Sequence, residues 1–298
     1  MSQSISNSKF KSALAPNPGI ANASSQSTSS FGDFIQETLA LTQRLFIQLQ
    51  RRPSTLMAGV IQPFMWLVLF GALFSKAPTG LFGNDLSYAK FLAPGVIVFT
   101  AFSGALNAGL PVMFDREFGF LNRLLVAPLS TRYSIVAAST VYIIALSFIQ
   151  TAVIIGASAI LGAGLPGIAG LSAIALIVFL IVLGVTALSL GLAFALPGHI
   201  ELIAVIFVTN LPLLFASTAL APLDFMAGWL QIVASLNPLT YAIEPIRYIY
   251  TQGSWAIDSI VMSTPWLDFN FASVILVLLA FDALVLLAIQ PLLRRRFA

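Results

Sequence analysis

FDREFGFLNRLLVAPLSTRYS, residues Phe114 to Ser134, is a charged island between two long apolar runs. It holds Asp115, Arg116, Glu117, Arg123 and Arg132 in a chain that is only 8% charged. Phe118, Leu121, Leu124 and Leu125 recur at i, i+3, i+6 and i+7, a narrow apolar stripe of helical period. Arg116, Asn122 and Arg123 lie off that stripe, and Pro128 marks where a helix stops. The spacing predicts a short amphipathic helix at a membrane surface, tethered at both ends to apolar spans.

Composition makes the surrounding runs membrane spans. The chain has 298 residues, 58% of them hydrophobic, and a mean hydropathy of +0.96. Ordinary soluble domains are about 45–50% apolar and roughly 25% charged. Fourteen Lys and Arg with eleven Asp and Glu cannot cover a water-soluble body of this size. The chain has no cysteine, which removes disulfides, thiolate metal sites and cysteine nucleophiles. The single histidine, His199, argues against a His-rich metal centre, so no metal site is expected. The basic residues flank apolar runs, as the positive-inside rule places them. They do not interleave with aromatics, so no nucleic-acid partner is expected.

Upstream of the island, residues 1–30 are rich in Ser, Asn, Gln, Ala and Pro, a composition that predicts a disordered cytoplasmic tail. Residues 31–53 change character. Ser30 with Asp33 resembles a capping box, and Phe31, Phe34, Ile35, Thr38, Thr42, Leu45, Phe46 and Leu49 keep a helical stripe up to Pro53. This predicts an interfacial amphipathic helix. The membrane domain then occupies 54–298, with spans predicted at 56–74, 91–113, 135–161, 171–196, 202–220 and 271–292. Each is near the length needed to cross a hydrocarbon core of ~30 Å. Residues 222–268 are too polar to span, yet they carry Trp229, Tyr241, Tyr248, Tyr250, Trp255 and Trp266, side chains that favour the membrane–water boundary. Short helices dipping into that boundary are expected there, broken at Asn237-Pro238. The fold class is thus an all-α integral membrane protein. It has six transmembrane helices, an N-terminal amphipathic helix and short re-entrant helices before the last span.

An even number of spans puts both termini on one side. The N-terminal segment, the island and the C-terminal tail hold eleven of the fourteen Lys and Arg, so that side is the cytoplasm. A surface helix tied there between two spans is a handle by which a cytoplasmic partner could move them.

Few residues offer chemistry of their own. None of the four lysines follows a glycine, so no phosphate-binding loop can be matched. His199 and Glu201 fall in a turn whose nearest serine in sequence, Ser189, lies inside a span. Asp282 lies near the middle of the last span, where a carboxylate costs roughly 2.5–3.5 kcal/mol on insertion scales. Such residues face a bundle interior or a cavity. Asp282 leaves open a structural, gating or proton-coupled role, the last making an ion-gradient-driven secondary transporter the alternative reading. Ala105 with Gly109, and Gly184 with Gly191, are small enough to permit close helix approach.

Two stretches carry a family resemblance. Glu117-Phe118-Gly119-Phe120-Leu121, Arg123-Leu124-Leu125 and Ala127-Pro128-Leu129-Ser130 resemble the loop between the second and third spans of ABC-2-type permeases. Asn237-Pro238-Leu239-Thr240-Tyr241 with Arg247 resembles the segment before the last span of those proteins. The likeness is to the daunorubicin-exporter-like branch, cyanobacterial and algal-plastid members included, and covers about 31–297. It implies a dimer of permeases, a homodimer or a heterodimer, embedded among lipids of a bacterial plasma membrane. Separate ATP-binding cassette subunits would bring ATP and Mg, and this chain would hold no cofactor. The resemblance assigns the surface gripped by the ATPase to Arg116, Glu117, Phe118, Gly119, Leu121, Arg123, Leu124 and Pro128. It assigns an extracytoplasmic gate to Asn237, Pro238, Tyr241, Glu244 and Arg247. Drug, lipid and polysaccharide exporters share this scaffold. The apolar spans lean towards an amphipathic, lipid-like or lipid-linked cargo, because they could replace little of a hydrophilic solute's water.

Overall fold

The computed structural model describes residues 31–74, 88–120, 133–253 and 255–297. The predicted tail, the stretch around Lys76 and Asp85, and residues 121–132 of the island lie outside them.

Helix α1, Phe31–Arg51, has Asp33 in its first turn and Arg51 in its last, each matched to the helix dipole. Thr38 and Thr42 are its buried residues. The Thr42 hydroxyl lies 2.7 Å from the Thr38 carbonyl and 3.4 Å from that of Ala138 on a neighbouring helix. Phe31, Ile35 and Leu39, at i, i+4 and i+8, stay exposed, the uncovered apolar stripe that an interfacial helix offers to lipid.

Helix α2, Pro53–Leu73, starts on a proline and runs through Pro63. It buries only Pro63 and Leu67. Helix α3, Tyr88–Leu106, is by contrast buried along most of its length. After a turn at Asn107 and Ala108 the chain resumes as α4, Gly109–Glu117. The break is patched from outside: Ser189 Oγ accepts from Gly109 N at 2.9 Å and donates to Leu106 O at 2.6 Å. A side chain at Gly109 would overlap the Ser189 carbonyl.

The helix after the second apolar run therefore extends further than its composition suggested. Phe114 to Glu117, expected to open a separate surface helix, form the last turn of α4. The turn follows at Phe118 and Gly119, where Gly119 adopts φ +74°, a conformation that glycine reaches without steric cost.

Helix α5, Tyr133–Ser158, closes in a π-helical turn, Ala159–Ala163. Gly162 and Gly164 there take φ of +93° and +80°. Helix α6, Ile168–Ala195, packs against α3, α5 and the last helix. Helix α7, His199–Phe215, is 17 residues long and buries only Leu202, Ile206 and Leu214. Then come α8, Gly228–Leu236, and α9, Pro238–Gln252. The last helix, α10, is Phe271–Phe297. Among the described residues, five helical stretches are long and apolar enough to cross a membrane: 53–73, 88–117, 133–163, 168–195 and 271–292. Helix α7, the counterpart of the predicted fifth span, is apolar but shorter.

One element departs from the all-α fold class. Strands β1, Ile260–Ser263, and β2, Asp268–Asn270, form an antiparallel hairpin pairing Met262 with Phe269 and Ser263 with Asp268. Its turn is local chemistry. Thr264 N donates to Leu267 O at 3.0 Å, and Thr264 Oγ1 accepts from Leu267 N at 3.1 Å. Asn270 Oδ1 then accepts from Ser273 N at 2.8 Å, capping α10.

Helices α6 and α10 meet through glycines. A side chain on Gly184 would overlap Asp282 and Phe281, and one on Gly191 would come within 2.5 Å of Ile289. Gly184→Val should therefore overpack this seam and lower stability by about 1–3 kcal/mol. Gly156, which has open space around it, should tolerate Ala and gain up to ~1 kcal/mol from helix propensity. Thermal unfolding of the purified variants in detergent checks both.

Candidate functional site

Consecutive charged residues at the end of α4 reach into three different parts of the bundle. Helix ends leave backbone carbonyls and N–H groups without intrahelical partners, and two of these side chains supply partners. Arg116 reaches the C-terminus of α6. Its Nη1 donates to Ala193 O at 2.8 Å, and its Nη2 to Leu196 O at 2.7 Å and Pro197 O at 2.6 Å. A guanidinium suits this task, because its planar fork presents several donors and its charge matches the negative end of the helix dipole. Glu117 does the converse at the N-terminus of α7. Its Oε1 accepts from His199 N at 2.6 Å, and its Oε2 meets His199 Nδ1. Gly198 leaves room for this contact, since a side chain there would come within 2.9 Å of both Glu117 and Glu201.

Asp115 turns the other way. It pairs with Arg44 of α1 at 3.4 Å, and the Arg44 guanidinium lies over the Phe120 ring, 4.0 Å from its centroid. Helix α1 is also tied to the start of α5, where Ser134 Oγ donates to Glu37 Oε2 at 2.8 Å. Phe114 stacks on Phe118 and tilts against His199, at centroid distances of 6.0 and 5.2 Å. Phe118 itself is 79% exposed. The charged end is thus a rigid patch joining α1, α4, α6 and α7, with an aromatic ring standing out from it.

Of the residues expected here, Arg116, Glu117, Phe118 and Gly119 lie together in this patch. Leu121, Arg123, Leu124 and Pro128 lie outside the described residues. Arg44, Asp115 and His199 were absent from that set. Their pairings join residues 71 and 82 positions apart, a separation at which no periodicity operates.

The second cluster forms at the opposite end of α7. Asn237 caps α9 by accepting from Leu239 N at 2.9 Å, and Pro238 fills the first helical position, where a missing N–H costs nothing. The Asn237 amide also donates to Leu213 O at 2.7 Å and Ala216 O at 2.6 Å, the carbonyls ending α7. Within α9, Arg247 is only 8% exposed. It pairs with Glu244, donates to Thr218 O and to Phe91 O, and lies 3.9 Å from the Phe91 ring centroid. Burial of this charge is tolerable because each of its three nitrogens has an acceptor and one of them is the Glu244 carboxylate. Tyr241 meets Phe269 of β2 edge-on at 5.3 Å. Gly95 lets α3 approach this region, since a side chain there would lie 2.5 Å from Ala219 O. The structure brings Asn237, Pro238, Tyr241, Glu244 and Arg247 onto one short helix and its cap.

Asp282 stands apart from both clusters. It is 4% exposed and faces Gly184 of α6, and neither carboxylate oxygen has a hydrogen-bond partner among the described residues. Among those residues no group of acidic and histidine side chains is arranged to hold a metal ion.

Comparison with known proteins gives the chain a family. Residues 36–251 match the model of the ABC-2 type transporter. The chain is 52% identical over 274 residues to a protein of Cyanophora paradoxa named transport permease ycf38, covering 92% of this chain and 94% of that one. A protein of the same name from Porphyra purpurea is 54% identical over 264 residues, 89% of this chain and 91% of that one. The daunorubicin resistance ABC transporter permease protein DrrB1 of Streptomyces coeruleorubidus is 25% identical over 249 residues, 80% of this chain and 84% of that one.

Arg116→Lys keeps the charge at the α6 terminus but cannot reach three carbonyls in one plane. Losing charge-assisted hydrogen bonds worth roughly 1.5–3 kcal/mol should speed amide exchange at residues 196–203 about tenfold or more. Hydrogen–deuterium exchange of the reconstituted protein reads this directly.

Proposed function

The chain belongs to the ABC-2 type transporter family, and we propose that it is the permease subunit of an ATP-driven exporter, moved from the cytoplasm through its charged end. Membership makes it an integral membrane subunit of an ABC transporter. The observation that carries the finer reading is the patch at the end of α4, where Asp115, Arg116 and Glu117 join α1, α6 and α7. A force applied at Phe118 is delivered to three other helices at once. A partner that presses there moves the bundle, not one loop.

In this reading the energy source is a separate ATP-binding cassette subunit carrying ATP and Mg, because no lysine of this chain follows a glycine. That subunit grips Arg116, Glu117, Phe118 and Gly119, together with Leu121, Arg123, Leu124 and Pro128 further along the island. Helix α7 is the fifth of six crossings, both termini face the cytoplasm, and two permeases, identical or different, stand side by side in the plasma membrane. On the outer side α8 and α9 re-enter the boundary, with Asn237, Pro238, Tyr241, Glu244 and Arg247 shaping the exit. Asp282, seated against Gly184, holds α6 and α10 in register.

The cargo is amphipathic, lipid-like or lipid-linked. An apolar groove of about 430 Å³ between α1, α5, α6 and α10, lined by Phe34, Tyr133, Val136, Leu183, Leu286 and Leu287, supports this. Its size falls within the range of ligand pockets, and its walls would strip a hydrophilic solute of water without return.

Changing Glu117 and Arg123 together to Ala should cut ATP-dependent transport by a factor in the range of about 5–150, the span of ordinary coupling energies. The ATP-binding subunit co-expressed with the chain, and transport into inverted vesicles, provide the assay. Transport persisting at full rate in the double variant would overturn the proposal.

A further inference from the structure

Asp282 and the apolar groove belong to one seam between α6 and α10. On α10, Asp282, Leu286 and Ile289 recur at i, i+4 and i+7 and share a helical face. On α6, Gly184 and Ala187 do the same at i and i+3. Asp282 meets Gly184. Leu286, Ile289, Ala187 and Leu183, the last adjacent in sequence to Gly184, line the groove of about 430 Å³. Four residues of helix rise about 6 Å, so the carboxyl lies within one turn of the groove wall. The opposite wall is made by Phe34 of α1 and Tyr133 of α5. Those helices are tied together beside it by Ser134 and Glu37. All these walls come from one chain.

The two features complement each other chemically. Asp282 is 4% exposed, and neither of its oxygens has a hydrogen-bond partner among the described residues. A buried carboxylate without a countercharge is costly, and an opposite charge brought to it at low dielectric is strongly attracted. The groove supplies apolar surface and a volume in the range of ligand pockets. We propose that Asp282 and the groove together form a binding site for a lipophilic amine, its ammonium on the carboxylate and its apolar body in the groove. An ammonium brings three donors with its charge, whereas an anion is repelled. A purely apolar chain fills the groove but leaves the carboxyl unserved. Gly184 admits the arrangement, since a side chain there would overlap Asp282. In the orientation proposed above the groove lies in the cytoplasmic half of the bilayer, where an exporter collects its load. Taking the bound amine for cargo rests on that exporter reading; the site itself does not.

Monodansylcadaverine, a primary amine carrying an environment-sensitive fluorophore on an alkyl arm, is the probe. Its N-acetyl derivative and the dansyl aminohexanoate anion share its apolar body. Each is titrated against the full chain in nanodiscs, with empty nanodiscs as the blank. The amine should bind saturably and the two analogues should not. Asp282→Asn keeps the shape, removes the charge, and should weaken amine binding about tenfold or more, as loss of a charge-assisted contact does. Leu287→Trp, at a groove wall that is 70% exposed, should also weaken it without moving thermal unfolding. If Asp282→Asn does not assemble, the comparison of amine with N-acetyl derivative and Leu287→Trp still decide. Equal binding of amine and N-acetyl derivative, no saturable amine binding, or affinity unmoved by either variant would overturn the proposal. So would a disulfide between two copies of Leu287→Cys, in a chain without other cysteines, because a second permease would then cover the groove. ATP-dependent uptake of the amine into inverted vesicles tests the exporter reading separately. Saturable binding without uptake keeps the site and counts against that reading.

Discussion

A helix that stops near a membrane surface ends in carbonyls and N–H groups that lipid cannot satisfy. In this protein the ends of α6 and α7 meet in one turn, and the side chains that satisfy them come from a third helix. Arg116 takes the carbonyls and Glu117 the first N–H. Adjacent residues of opposite charge serve helix ends of opposite polarity, so each lies in the field it prefers. The arrangement welds α4 to the turn between α6 and α7, and the mechanical reading of the molecule follows from that weld. Remove it and Phe118 is a ring on a loop; keep it and Phe118 is attached to the bundle.

The same logic recurs at the far end with neutral groups. Asn237 uses one amide to cap α9 and to close the end of α7, doing with dipoles what Arg116 does with charge. Between the two ends the helices divide into a close-packed centre, α3 and α6, and lightly held members, α2 and α7, whose apolar surfaces lie largely open. Glycines set the spacing at the centre. Gly109, Gly184 and Gly191 each stand where a neighbour would overlap or crowd an added side chain. Asp282 occupies the notch opposite Gly184, where the missing side chain gives it room between α6 and α10.

Much of this was legible beforehand, and the reasons are physical. Long apolar runs punctuated by Arg, Pro and Gly mark helices because lipid permits little else, and the breaks at Pro53 and at Asn237-Pro238 fall where the helices begin. The clusters of basic residues and of aromatics separated the two ends of the bundle. What escaped the reading was contact across sequence distance: Arg44 with Asp115, Glu117 with His199, Asn237 with Leu213. Those partners depend on which helices lie side by side, a property that local pattern does not encode. The hairpin at Ile260 to Asn270 was not foreseen, although Ser263-Thr264-Pro265 is a turn signal. The charged island misled in its first residues because Phe114 to Glu117 continue an apolar helix that was expected to end at Met113.

The central claim is that the charged end faces the cytoplasm and is where a partner takes hold. Phe118→Cys, in a chain without native cysteine and at a position 79% exposed, tests it most directly with a membrane-impermeant maleimide. The account predicts no labelling of intact cells, rapid labelling of inverted vesicles, and protection in those vesicles when the ATP-binding subunit is present. Labelling of intact cells from the outside would contradict it.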